Sequence, residues 1–180
     1  MPAVKNSVWL ISGCSTGFGR EIALAALEEG ALVAVTARNP ASVADICERF
    51  PEQAIALQLD VGSADDIAAC VDATLVRFGR IDALVNNAGY GYVAAIEEGE
   101  EDAVRALFDV NFFGALALTR AVLPVMRRQG SGHIINNSSQ AGIMANPGTG
   151  YYSASKYALE GLMEALQKEV APLGIRVTSV

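Results

Sequence analysis

The sequence predicts an α/β fold, a doubly wound parallel sheet with helices on both faces, as a single domain spanning residues 1–180. Three observations carry that prediction. Apolar runs of four to six residues alternate with longer stretches of helical period, the pattern of repeated strand-helix units. A glycine-rich turn, SGCSTGFG, joins the first run to the first helical stretch. Apolar residues make up 52% of the chain and charged residues 18%, which suits a sheet buried on both sides and argues against disorder.

Taken in order, Val8 to Ser12 is the first strand, and a helix from about Gly17 to Glu29 follows, ended by Gly30 as a C-terminal cap. Leu32 to Ala37 is the second strand. Asn39 then Pro40 is a cap followed by proline at the first helical position, so a helix starts there and runs through Phe50. Ile55 to Leu59 is the third strand. Ser63, with Asp66 three residues on, resembles a capping box and opens a helix that runs to Phe78 and stops at Gly79. Ala83 to Asn86 is the fourth strand. Asp102 to about Arg128 reads as one long helix weakened at Asn111, Gly114 and Pro124, with a bend expected at the proline. Ile134 to Asn137 is the fifth strand, Tyr152 to about Val170 the last helix, and Ile175 to Val180 begins a sixth strand.

Two places in this framework carry chemistry. Gly13, Gly17 and Gly19 lie between a strand and a helix, where a dinucleotide pyrophosphate rests on exposed backbone N–H groups and the helix's positive end. Their spacing, G-x3-G-x-G, departs from the commoner G-x-G-x-x-G. The tip of the second strand reads Thr36-Ala37-Arg38, with no carboxylate to hold an adenosine ribose. A guanidinium there binds a 2′-phosphate through two parallel N–H bonds, so NADP is expected over NAD; the alternative is that Arg38 is a solvated surface charge.

The second place is the stretch HIINNSSQAGIMANPGTGYYSASK. Tyr152 and Lys156 are four residues apart, on one face of a helix, and Ser139 precedes Tyr152 by thirteen residues at a strand end. A phenol ordinarily ionises at about pH 10, so acid/base work near neutrality needs a cation close by, which Lys156 supplies. Tyr151, five residues from Lys156, points elsewhere on the helix.

On these residues, together with Asn86-Asn87-Ala88-Gly89, Asn111, Asn136 and Ser138-Ser139, the chain from residue 7 to residue 180 resembles the short-chain dehydrogenases/reductases. The resemblance implies a Rossmann fold with strand order 3-2-1-4-5-6. It also implies a reaction, the interconversion of a secondary alcohol and a ketone or aldehyde by hydride transfer. Tyr152 would be the general acid/base, Lys156 would hold the nicotinamide ribose and make the phenol more acidic, and Ser139 would hydrogen-bond the substrate oxygen. Asn111 would hold a water against Lys156. Ser15, Thr16 and Phe18 belong to the matching glycine turn; Asn87, Ala88 and Gly89 would line the cofactor, and Asp60 and Val61 would flank its adenine. Phe18 stands where the family more often has an aliphatic residue, and Asn137 replaces the usual apolar residue before the serines.

The family chain continues beyond a sixth strand into a substrate-covering segment. The sequence therefore also admits an apparently truncated dinucleotide-binding remnant that does not turn over. Uncharged residues near the site, Tyr90, Tyr92 and Met144, lead us to expect an apolar small-molecule alcohol or carbonyl substrate. Leu107, Phe108, Phe112, Leu116 and Leu118, with Tyr157, Leu159, Leu162, Met163 and Leu166, give two helices more apolar breadth than one sheet face covers, so a homodimer or homotetramer is expected. The net charge of −7 and scattered basic residues argue against nucleic acid or a membrane as partner. Three separated cysteines, without CxxC spacing and with one histidine in the chain, indicate no metal and reduced thiols in a cytoplasmic protein.

Overall fold

A computed structural model describes residues 4–180 and contains one six-stranded sheet in the order β3-β2-β1-β4-β5-β6, every neighbouring pair parallel. The strands are β1 (Val8–Ile11), β2 (Leu32–Ala37), β3 (Ala54–Gln58), β4 (Ala83–Asn86), β5 (Gly132–Asn136) and β6 (Ile175–Ser179). The fold is thus the doubly wound parallel architecture expected. Because side chains alternate across a strand, each face builds its own core. Leu10, Ala34, Leu84, Ile134 and Val177 face α3 (Ala64–Phe78), α5 (Ala115–Gln129) and α6 (Gly150–Val170). Ile11, Val33, Val35 and Val85 face α1 (Gly17–Glu28) and α2 (Ala44–Arg49). Burial on both sides is why the strand segments read as apolar runs and not as alternating patterns.

Strand order reverses between β1 and β4, so the loops leaving their C-terminal ends diverge to opposite faces and open a crevice there. Buried hydroxyls and amides fix its walls. The Ser12 hydroxyl accepts from the N–H groups of Asn87 (2.9 Å) and Ala88 (3.0 Å), tying the end of β1 to the end of β4. Thr36 donates to the carbonyl of Ile11 (2.8 Å), and the Cys14 N–H donates to the carbonyl of Thr36 (2.7 Å), tying the glycine turn to β2.

Several element boundaries differ from expectation for local reasons. Asn39 caps as expected, accepting from the Ala41 N–H, but what it opens is a 3-10 turn, Pro40–Val43, ahead of the short α2. Ser63 accepts from the Asp66 N–H, whereas the Asp66 carboxylate takes the N–H of Asp60 (2.9 Å) instead of returning to Ser63; only half of a capping box forms. The long helix begins at Glu101 and is interrupted not by Pro124, through which α5 continues, but by a π-helical stretch, Asp109–Gly114, after α4 (Glu101–Phe108). Gly114 explains the close packing there, since a Cβ on it would lie 2.7 Å from Val61. The combined stretch 101–129 is long and apolar enough by composition to cross a membrane. Its Leu107, Leu118, Val122 and Met126 are instead buried in the core.

That packing covers part of the apolar breadth of the two helices. Leu107, Leu118, Leu159 and Met163 are core residues, and Phe112, Leu162 and Leu166 pack partly buried against the core. The large apolar side chains left exposed on these helices are Phe113 and Tyr157. A groove of about 580 Å³ runs beside Phe113, lined also by Val104, Phe108 and Tyr151 and by the charged Glu101, Arg105 and Asp109.

Candidate active site

The crevice at the strand ends is a cleft of about 870 Å³, and almost every residue singled out from the sequence reaches it. On one side lie Gly13, Ser15, Thr16, Gly17 and Phe18, from the turn that becomes the first residues of α1; Arg38, Asp60 and Val61 follow at the ends of β2 and β3. Opposite them lie Asn87, Ala88 and Gly89 after β4, then Ser139 after β5, with Tyr152 and Lys156 from α6. Two of the expected residues stand behind the surface. Gly19 is buried, and a Cβ on it would fall 2.3 Å from both the Gly13 carbonyl oxygen and the Asn87 Nδ2, so the tight turn requires glycine there. Asn111 is buried behind Gly89: a Cβ on Gly89 would lie 3.0 Å from the Asn111 Oδ1 and 3.8 Å from the Lys156 Nζ.

The Asn111 side chain has a definite task. Its Oδ1 accepts from the Tyr90 N–H (3.0 Å), and its Nδ2 donates to the Tyr90 carbonyl (2.9 Å) and to the Ser155 hydroxyl (3.2 Å). It therefore pins the loop after β4 to α6, and the π-helical stretch is what turns it inward.

The helical spacing of Tyr152 and Lys156 brings both into the cleft, with the Lys156 Nζ 5.8 Å from the centre of the Tyr152 ring. Lys156 is 6% exposed, and its ammonium donates to the Asn137 carbonyl (2.8 Å). Burial holds its pKa below the ordinary lysine value, opposed by the attraction of Glu160. The Ser139 hydroxyl accepts from the Ala141 N–H (3.1 Å), capping the 3-10 turn Gln140–Gly142 and fixing the side chain at the cleft. Tyr151 is turned away, as expected, donating to the Ile96 carbonyl (2.5 Å) with its ring 6.0 Å from that of Tyr92.

Sequence reasoning did not find Asn137 or Ser12 as site-builders. Ser12 opens the glycine-turn motif but carries no chemical signature of its own; the signal for Asn137 was its place two residues before Ser139, at the strand's open end. Tyr90 lines the cleft, but Tyr92 is occupied, accepting from the Glu100 N–H (3.0 Å), and the half-exposed Met144 stands outside the lining. Cys14 lies in the turn, yet burial pushes its thiol up to about 12, and Cys70 likewise to about 12. Among the described residues no group of three or more His, Cys, Asp or Glu side chains is placed to hold a metal.

A glycine turn opening a helix at the reversal of a parallel sheet, facing a tyrosine-lysine pair and a serine, marks a candidate nucleotide-binding site. Residues 7–180 match the short chain dehydrogenase family, and the chain belongs to it. A short-chain dehydrogenase from Streptomyces avermitilis is 46% identical, with a TM-score of 0.94 over 97% of this chain and 64% of that one. A short chain dehydrogenase/reductase from Burkholderia phymatum in complex with NAD is 28% identical, with a TM-score of 0.94 over 99% of this chain and 66% of that one. A gluconate 5-dehydrogenase from Burkholderia cenocepacia in complex with NADP and tartrate is 31% identical, with a TM-score of 0.91 over 97% of this chain and 70% of that one. The chain thus spans about two thirds of the length of these relatives.

Proposed function

We propose that the protein interconverts a secondary alcohol and a ketone or aldehyde, with NADP preferred over NAD. The observation that carries the reading is the convergence of Ser139, Tyr152 and Lys156 on one wall of a cleft whose other wall is the glycine turn. The turn fits a dinucleotide: Gly17 lines the cleft with open space where a side chain would stand, Gly13 and Gly19 allow the turn's close approach to the loop after β4, and the first residues of α1 border the cleft. Gly13, Ser15, Thr16, Gly17 and Phe18 would hold the pyrophosphate side, Asp60 and Val61 the adenine, and Asn87, Ala88 and Gly89 the path to the nicotinamide. When bound, the nicotinamide supplies or accepts the hydride.

The chain's own contribution is orientation and proton supply. Tyr152 donates its phenolic proton to the carbonyl oxygen in reduction and takes it back in oxidation. Lys156 attracts the negative charge left on the tyrosine oxygen, and the Ser139 hydroxyl donates to the substrate oxygen as charge builds there. Asn111 holds the Tyr90 loop beside them and would hold a water against Lys156, linking the site to solvent protons. Arg38 supports the phosphate preference: it is exposed at the mouth of the cleft and makes no ion pair among the described residues. Tyr90 and the exposed Val93 and Ile143 on neighbouring loops support an apolar substrate. The groove beside Phe113 supports a symmetric homodimer or homotetramer, checked by light scattering at micromolar concentration.

The test is NADPH consumption over a panel of apolar ketones and aldehydes, with Tyr152→Phe alongside. Turnover lowered at least about 100-fold in the variant supports the assignment. Dinucleotide binding without turnover by the wild type would support the non-turnover alternative, and unchanged turnover in the variant would remove Tyr152 from the chemistry.

A further inference from the structure

Asn137 extends the line of β5, its N–H donating to the Asn86 carbonyl (2.9 Å). The preceding Asn136 directs its side chain to Asn86, which donates to its Oδ1 (2.8 Å), so alternation along the strand sends the Asn137 side chain to the other face. There its Nδ2 donates to the Asn87 Oδ1 (3.0 Å). Asn87 in turn donates from its Nδ2 to the carbonyls of Ser12 (2.9 Å) and Gly13 (3.0 Å). Backbone carbonyls only accept, so Asn87 must turn its NH₂ toward the glycine turn and its oxygen toward residue 137. In this chain the Asn137 amide supplies a donor to that oxygen. The Asn137 carbonyl, meanwhile, accepts from the Lys156 ammonium (2.8 Å).

We propose that Asn137 is a positioning residue that sets dinucleotide affinity, its amide locking Asn87 and through it the Gly13 turn. The proposal rests on the reading of the cleft as a dinucleotide site. One residue thus meets both halves of the site, the turn through its side chain and Lys156 through its backbone. A substitution at 137 separates the two, because any residue keeps the carbonyl and only a donor keeps the bond to Asn87. Loss of the donor leaves the Asn87 oxygen unpaired and its amide free to rotate off the two carbonyls.

The experiment measures Kd for NADPH and NADH by the change in their fluorescence on binding. The proteins are wild type, Asn137→Leu, Asn137→Asp, Asn87→Ala and the Asn87→Ala/Asn137→Leu double variant, each with its urea midpoint. Asn137→Leu and Asn137→Asp, both of similar size and both without the donor, are expected to weaken binding about tenfold. In the Asn87→Ala background the leucine substitution is expected to add less than about twofold, since the partner is already gone. Wild-type-like affinity in Asn137→Asp, or losses that multiply in the double variant, overturns the route through Asn87 while leaving the dinucleotide site standing. A fall in urea midpoint that accounts for the weakened binding in both single variants also overturns it. Absence of saturable binding of either dinucleotide to a folded wild type removes the site reading itself and the proposal with it.

Discussion

Replacing Gly19 by alanine tests how the turn is built, because the obstruction is backbone. The added Cβ would lie 2.3 Å from the Gly13 carbonyl oxygen, and an ordinary contact begins at 3.4 Å, so the two segments must part by about 1.1 Å. Gly13 cannot yield freely. Its φ is +73°, a Cβ on it would itself meet the Ala88 Cα at 3.0 Å, and its carbonyl already holds the Asn87 amide at 3.0 Å. Overpacking of this kind costs about 1–3 kcal/mol, and breaking the Asn87 bond adds about 1 kcal/mol, for a loss of about 2–4 kcal/mol. With a urea slope of about 2 kcal/mol per molar, the unfolding midpoint by circular dichroism falls by roughly 1–2 M. Dinucleotide affinity falls at least tenfold, because the N–H groups of the turn move with it. Gly161→Ala is the control: it sits in α6 with nothing within 4 Å of a Cβ, and should stabilise by about 0.5–1 kcal/mol. A Gly19→Ala protein within about 0.5 kcal/mol of wild type that binds NADPH normally would refute the close-approach account.

Arg38→Asp should reverse the cofactor preference, and equal affinity of the wild type for NADPH and NADH would remove Arg38 from that role. Lys156 has a folded pKa below its ordinary 10.5, so between the depressed value and 10.5 the unfolded chain binds more protons than the folded one. Wild-type stability relative to Lys156→Met should therefore rise as pH climbs through that window; pH-independent differences in urea unfolding from pH 7 to 10 would contradict it. The thiols of Cys14 and Cys70, both pushed up to about 12 by burial, should resist labelling at pH 8 until the chain is unfolded, while the part-exposed Cys47 reacts first. Rapid native labelling at Cys14, read by peptide mass, would count against the burial described.

The sheet was legible because each strand is an apolar run bounded by turn residues, and β2 and β4 fell on the ranges expected. The cleft residues were legible because their chemistry depends on spacing: Tyr152 and Lys156 need only a helix to share a face. What escaped depended on partners distant in sequence. Nothing near Asp66 reveals that its carboxylate will serve Asp60 and not Ser63, and nothing near Asn137 reveals that Asn87 lies opposite. The long helix was harder still, since Pro124 is the stronger local breaker, yet the break follows the tertiary demands of Asn111 and Gly114. Apolar breadth is hard to weigh for a related reason: periodicity shows which side chains want cover but not how much the sheet supplies.

The π-helical stretch from Asp109 to Gly114 makes the segment intolerant of tidying. Deleting one residue from it would restore a regular α-helical ladder and satisfy every local preference better. It would also rotate the preceding turns by about 100° relative to those that follow. Leu107 would swing out of the interior, or Asn111 would lose its grip on Tyr90. A shorter and locally more perfect helix would thus be a worse protein, with the odd residue acting as a phase shifter between two faces that must both point inward.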